Sequence, residues 1–257
     1  MRKLGAYLAC FFALSVSLFS RATPSLPANR TRFFENSPST TTLIALADPT
    51  EEPYFCCTEG FQMGIIPEIA DLLAKRCHYS IEMLPVKSYA DYQDHLLKKD
   101  FDLLLDASSL LSSDLITGYD LSDSYLNVSY SKAILRNSTK SLSSIACLGE
   151  NSMVGVYTRS FYYANQVVAY DSVADCLSAV KNEKCYAAIV NSIYAQKLQN
   201  EDIRSIYSFT KLSEGSLKVR IAVKQGDNGA LLTTLNTAIA ATNEDSYNAI
   251  FPAIPIS

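Results

Sequence analysis

The chain has 257 residues, 48% of them hydrophobic and 19% charged, with 22 Lys or Arg against 26 Asp or Glu and a net charge of −4. That balance argues against a nucleic-acid binder, which needs a clustered basic surplus to neutralise phosphates. None of the 9 glycines falls in a GxGxxG or GxxxxGK spacing, so the usual phosphate loops are excluded, and 2 histidines leave little room for His-rich metal sites or triad chemistry.

The N-terminus reads as an address. Arg2 and Lys3 precede an apolar run from Leu4 to Phe19, and Ser20-Arg21-Ala22 places small residues where a signal peptidase reads them. Residues 1–22 are therefore expected to be a secretory signal, cleaved near Ala22 or retained as an anchor, and the protein to be exported, periplasmic or at the cell surface. Tyr7-Leu8-Ala9 before Cys10 fits a lipid-attachment box poorly. Cleavage removes three positive charges, taking the net charge from −4 to −7. Cys56, Cys57, Cys77, Cys147, Cys176 and Cys185 remain, an even set that permits disulfides in an oxidising compartment or equally stands as partly buried thiols. Residues 23–41, rich in Thr, Pro, Ser and Asn, read as a linker.

From Thr42 short apolar runs alternate with helical patterns. Leu43–Ala47 has strand length. Pro67–Lys75 is a predicted helix with proline in its first turn and Ile66, Ile69, Ala70 and Leu73 on one stripe. Ser88 caps a helix that places Tyr89, Tyr92 and Leu96 on one face, with Asp91 at the capping-box position. Phe101–Leu105 is a second buried strand. Met153–Val156 reads as a strand, Ser172 as the cap of a helix with Asp175 reaching back, and Tyr186–Val190 as a strand leading to a helix through Ala195 and Leu198. Val219, Ile221 and Val223 alternate as a strand, Leu231, Leu235, Ala238 and Ile239 mark a helix, and a last short helix is expected over Tyr247–Phe251. Strands alternating with helices predict an α/β protein with mainly parallel sheets. Such sheets bind ligands at the carboxyl ends of their strands, which directs attention to Asp48–Phe55, Asp106–Ser109, Tyr157–Ser160 and Asn191–Tyr194.

These segments resemble the family-3 solute-binding proteins of bacteria, the two-lobed "Venus flytrap" receptors. The likeness is carried by Glu52-Pro53-Tyr54-Phe55, Gly64 to Ile69, Phe101 to Leu105, Tyr119 to Tyr125, Val154-Gly155-Val156, Tyr170-Asp171-Ser172 and Ala187 to Asn191, in order over residues 42–251. The resemblance implies a two-lobe periplasmic-binding-protein fold, each lobe a mainly parallel sheet flanked by helices, joined by two crossing hinge strands near Ser129–Arg136 and Leu217–Val223. Lobe 1 would comprise residues 42–131 and 221–257, and lobe 2 residues 132–220. It further implies a non-enzymatic module that holds a small-molecule ligand between the lobes and works with an ABC permease or with a membrane-linked signalling output domain. No cofactor is expected. Leu121 to Tyr125, Ser129 to Lys132 and Asn191 to Ala195 look more like the sensor domains of histidine kinases or cyclic-dinucleotide enzymes.

The pattern also has departures. No arginine lies between Arg76 and Arg136, where amino-acid binders of the family carry one for the ligand carboxylate, and Asn191 stands where they carry an ammonium-binding aspartate. A small polar ligand, anionic and atypical for an amino acid, is therefore the expectation. Tyr54 and Tyr89 occupy positions of stacking aromatics, and Asp106, Ser108 and Ser109 follow a buried strand. Tyr157, Arg159 and Ser160 take the place of an anion-binding turn, with Arg159 expected at a helix start. Asn191 lies at the cleft floor, and His78 and His95 receive no role. A dehydratase or lytic transglycosylase on the same fold is the competing class. It would depend on Asp106, the one carboxylate placed at the cleft, with no second carboxylate spaced to partner it.

Overall fold

The computed structural model describes residues 41–250 except 59–60, 139–142, 200–201, 227–228 and 243–249. The expected signal segment, all of the linker but Thr41, and the expected helix over Tyr247–Phe251, apart from Ile250, lie outside the described residues.

Strand β1 (Thr42–Leu46) leads into a loop and a two-stranded hairpin, β2 (Cys56–Thr58) and β3 (Phe61–Met63), followed by helix α1 (Ile65–Cys77). The apolar stripe of α1 (Ile66, Ile69, Ala70 and Leu73) is buried, and His78 ends the helix in the left-handed conformation. Next come β4 (Ser80–Met83), α2 (Tyr89–Lys98), β5 (Leu103–Ala107), the short α3 (Ser113–Ile116) and the long β6 (Tyr119–Leu135). The Ser88 side chain accepts a bond from Asp91 N, which sets the start of α2. Then follow β7 (Ile145–Leu148), α4 (Met153–Phe161), β8 (Val167–Tyr170), α5 (Val173–Lys181), β9 (Ala187–Asn191), α6 (Ser192–Gln199), β10 (Tyr207–Lys224) and α7 (Ala230–Ala240).

The large sheet has the order β4-β1-β5-β10-β6-β9-β7-β8. Its two ends are parallel triplets, β4-β1-β5 and β9-β7-β8, each wrapped by its own helices. Between them lie β6 and β10, antiparallel to each other along most of their length. Strands of 17 and 18 residues reach about 56–59 Å at ~3.3 Å per residue, long enough to belong to both ends. The β10 end near Val223 pairs with Leu103 of β5, while Tyr130 of β6 pairs with Asn191 of β9. The molecule thus has two lobes, each an α/β layer structure, connected through two crossing strands.

One expected element is corrected. Met153–Val156 is the first part of helix α4, and the strand lies eight residues earlier at Ile145–Leu148, where all four side chains are buried. The Ser152 hydroxyl accepts from Gly155 N, so the capping residue, and not the apolar run after it, decides the conformation.

Much of the tyrosine content is core. Tyr119 donates to Phe101 O (2.8 Å), Tyr125 to Leu105 O (2.6 Å) and Tyr207 to Leu177 O (2.8 Å), which satisfies each hydroxyl where the ring is buried. Cys77, Cys147, Cys176 and Cys185 are buried unpaired thiols, and Cys57 is a half-buried one.

Candidate ligand cleft

The site begins at the carboxyl ends of β1 and β5. These strands are parallel, with Ala45 opposite Leu103 and Leu46 opposite Leu104, so continuing the register places Asp48 opposite Asp106. Asp48 N donates to Asp106 Oδ2 at 2.9 Å, while Asp48 Oδ1 accepts from Thr50 N and Thr50 Oγ1 (3.0 and 2.6 Å). The chain then turns, with Tyr54 N and Phe55 N donating to Glu51 O. It is held against the start of α1 by Ile66 N to Tyr54 O (2.9 Å). Gly64 has φ +138°, and a Cβ there would lie 2.5 Å from Tyr54 O, so only glycine lets the loop and helix approach this closely.

Three carboxylates are thereby buried together: Asp48 at 2% exposure, Glu51 at 1% and Asp106 at 6%. None belongs to an ion pair among the described residues. Burial is the largest influence on each. It pushes Asp48 up to about 6 against the pull of its Thr50 bonds. Asp106 rises to about 7, with the charge of Asp48 adding to burial, and Glu51 is pushed well above the usual carboxylate range by the same two causes. Tyr92 and Tyr130 line the group and are pushed up by burial and by these acids. Asp48 Oδ2, Glu51 Oε2 and the Tyr130 hydroxyl are buried with no hydrogen-bond partner. Such atoms are costly to leave unpaired, and here three lie in one electrostatic neighbourhood.

The opposite wall comes from lobe 2. Glu51 Oε1 accepts from Val154 N at 2.6 Å, at the start of α4. Asn191 Nδ2 donates to Glu52 O (2.8 Å), while its Oδ1 accepts from Tyr194 N and caps α6. Lys197 Nζ lies 3.6 Å from Glu52 Oε1. The Tyr89 hydroxyl accepts from Asn151 N (2.8 Å), and burial pushes that phenol up to about 12. The Tyr130 and Tyr157 rings pack against each other, tilted by 35° with 4.4 Å between centroids. Surface cavities of about 410, 390 and 320 Å³ are lined by none of these groups.

Of the residues singled out from the sequence, Tyr54, Tyr89, Asp106, Tyr157 and Asn191 converge on this seam. Ser108 is buried and its hydroxyl accepts from Leu110 N in the turn after β5, while Ser109 is exposed. Arg159 and Ser160 do not form a turn at a helix start. They sit in the last turn of α4, where Arg159 pairs with Glu150 and Ser160 donates to Tyr157 O. Asp48, Glu51, Tyr92, Tyr130 and Ser152 were not singled out, although an acid directly after the apolar run of β1 was a readable signal. Asp106 consequently has carboxylate neighbours that spacing along the chain did not reveal.

No protein-family model matches the sequence, and no curated protein does. Solved structures do match the fold. A histidine kinase sensor domain with similarity to periplasmic binding proteins superposes with TM-score 0.66 at 17% identity, over 85% of this chain and 99% of that one. A Salmonella typhimurium periplasmic binding protein of high arginine specificity gives 0.63 at 18% identity, over 85% and 100%. A Silicibacter pomeroyi periplasmic His/Glu/Gln/Arg/opine family-binding protein in complex with lysine gives 0.63 at 16% identity, over 84% and 100%. The fold is that of the periplasmic binding proteins, shared by transport components and sensor domains.

Proposed function

We propose that this chain is an extracytoplasmic, non-enzymatic binding module that captures a small ligand carrying an amino or guanidinium group between its lobes. The observation that carries this reading is the group of three buried, unpartnered oxygens, Asp48 Oδ2, Glu51 Oε2 and Tyr130 Oη. A cation with several N–H donors satisfies them and favours the charged form of carboxyls that burial pushes toward the neutral one. The anion expected from Arg159 is not favoured, because that guanidinium is paired with Glu150, two residues before the Ser152 cap of α4. The arginine and lysine bound by the fold's solved relatives carry the chemistry the cleft would suit. We take lobe 1 as residues 42–131 and 221–257 and lobe 2 as 132–220, a division supported by the pairing of β6 and β10 with both triplets. Export would place the module beside its ligand, with an ABC permease or a membrane-linked output domain as partner.

A thermal-shift panel tests the reading. Arginine, lysine, agmatine and putrescine should include a stabilising ligand, while glutamate, succinate, glucose and nucleosides give no shift. At a hundred times its Kd a ligand stabilises by about 2.7 kcal/mol, roughly 5–10 °C for a domain of this size. Asp48→Asn and Tyr130→Phe should each shrink the shift by half or more. Stabilisation by the anions alone would overturn the assignment.

One observation favours a second reading. Asp106, raised to about 7, has the acidity a general acid needs, as in a dehydratase on this fold. Turnover of prephenate or peptidoglycan that disappears in Asp106→Asn would establish it.

A further inference from the structure

We propose that Glu51 acts as a tethered ligand, its carboxylate filling the amide cradle at the start of α4 and holding the two lobes together without any free solute. Helix α4 has nine residues and begins at the Ser152 cap, so the Val154 amide has no acceptor within the helix. Such an amide, at the positive end of the helix, is suited to an anion. The acceptor present is the chain's own: Glu51 comes from the other lobe, 103 residues earlier, and its Oε1 accepts from Val154 N at 2.6 Å.

A second observation separates this from an ordinary helix start. Glu51 is 1% exposed, its Oε2 has no partner within hydrogen-bond distance, and the Ser152 hydroxyl at the cap of α4 helps hold the group, so the carboxyl lies in the interior of the seam and not toward water. The loop that carries it is pinned on either side. Asp48 N is tied to Asp106 within lobe 1, and Glu52 O and Glu52 Oε1 meet Asn191 and Lys197 of lobe 2. Glu51 thus sits at the centre of a contact spanning both lobes. A free carboxylate arriving at α4 would have to displace it. Oε2 remains open to a donor from a second ligand, so the latch and the cation proposed above use different oxygens of one side chain.

The test follows the lobe separation in the full chain stripped of ligand by unfolding and refolding. Fluorophores placed by amber suppression at Leu97 in lobe 1 and Tyr163 in lobe 2, 67% and 79% exposed, report it by single-molecule energy transfer. The unsubstituted protein should show one compact population. Glu51→Ala should move most molecules to an open population, and acetate at tens of millimolar should return them. With Val154→Ala controlling for the buried valine side chain, Val154→Pro gives an independent arm, since proline is tolerated in a first helical turn and removes the amide donor. It should open the lobes with no recovery in acetate. An open unsubstituted protein, or compact Glu51→Ala and Val154→Pro variants, would overturn the proposal. Because no cationic ligand is added, these outcomes are separate from those of the thermal-shift panel.

Discussion

Raising the pH from 5 to 8 should lower the melting temperature of the ligand-free protein by several degrees, and calorimetry at fixed ionic strength would read it. In the unfolded chain Asp48 and Asp106 titrate near 3.8, whereas in the folded protein they rise to about 6 and about 7. The native state therefore holds protons that the unfolded state has lost. The stabilisation from those protons is complete below about pH 4 and disappears as the pH rises through 6 and 7. Each extra proton is worth about 1.4 kcal/mol per pH unit, so the two acids together give a loss of about 2–4 kcal/mol, since they interact and do not add fully. The groups facing them do not reverse the sign. Tyr54, Tyr89, Tyr92 and Tyr130 are pushed upward and stay neutral, and Lys197 is paired with Glu52. Asp106→Asn should flatten the profile and raise the melting temperature at pH 8. A profile that rises toward pH 8 would contradict the buried acid cluster.

Gly149→Ala should disrupt the seam while leaving each lobe folded. A Cβ at this position would lie 1.9 Å from Tyr89 Cζ and 2.1 Å from Cε1, so the ring must move. Tyr89 cannot move without releasing Asn151 N, to which it is bonded at 2.8 Å, and that amide is then left without its acceptor. Ring displacement and the lost bond together should cost about 1–3 kcal/mol of closure, a fall of roughly ten- to a hundredfold in affinity for a ligand that requires the closed form. The double variant with Tyr89→Ala provides the control. With the ring gone, the alanine should add little to the effect of Tyr89→Ala alone, a coupling measurable by a double-mutant cycle on ligand affinity. Additive losses would mean that Gly149 acts elsewhere.

How much of this the sequence revealed depends on whether the physics was local. Leu43–Ala47 and Tyr186–Val190 have the run length of buried strands, and the helix starts at Ser88 and Ser172 are set by side-chain bonds to residues three positions on. The order of these elements indicated an α/β protein, and the two-lobe fold came from the resemblance to the family-3 solute-binding proteins. At Met153–Val156 two local signals disagreed: the apolar run suggested a strand, the Ser152 cap a helix, and the cap prevailed because Ile145–Leu148 already filled the sheet. Arg159 accordingly lies in the last turn of α4 and not at a helix start. The acid cluster was less accessible still. Asp48 and Asp106 meet through the register of two parallel strands, and Glu51 meets Val154 from the other lobe, distances that spacing along the chain does not encode.

Titration calorimetry of the unsubstituted protein with arginine and lysine, at pH 6 and pH 8 in two buffers of different ionisation enthalpy, tests the central claim most directly. Binding of a cation beside raised carboxyls should release protons at pH 6 and tighten by about tenfold at pH 8, where Asp48 and Asp106 are already ionised. Binding of glutamate or succinate in place of either cation, or cation affinity that weakens as the pH rises, would contradict it.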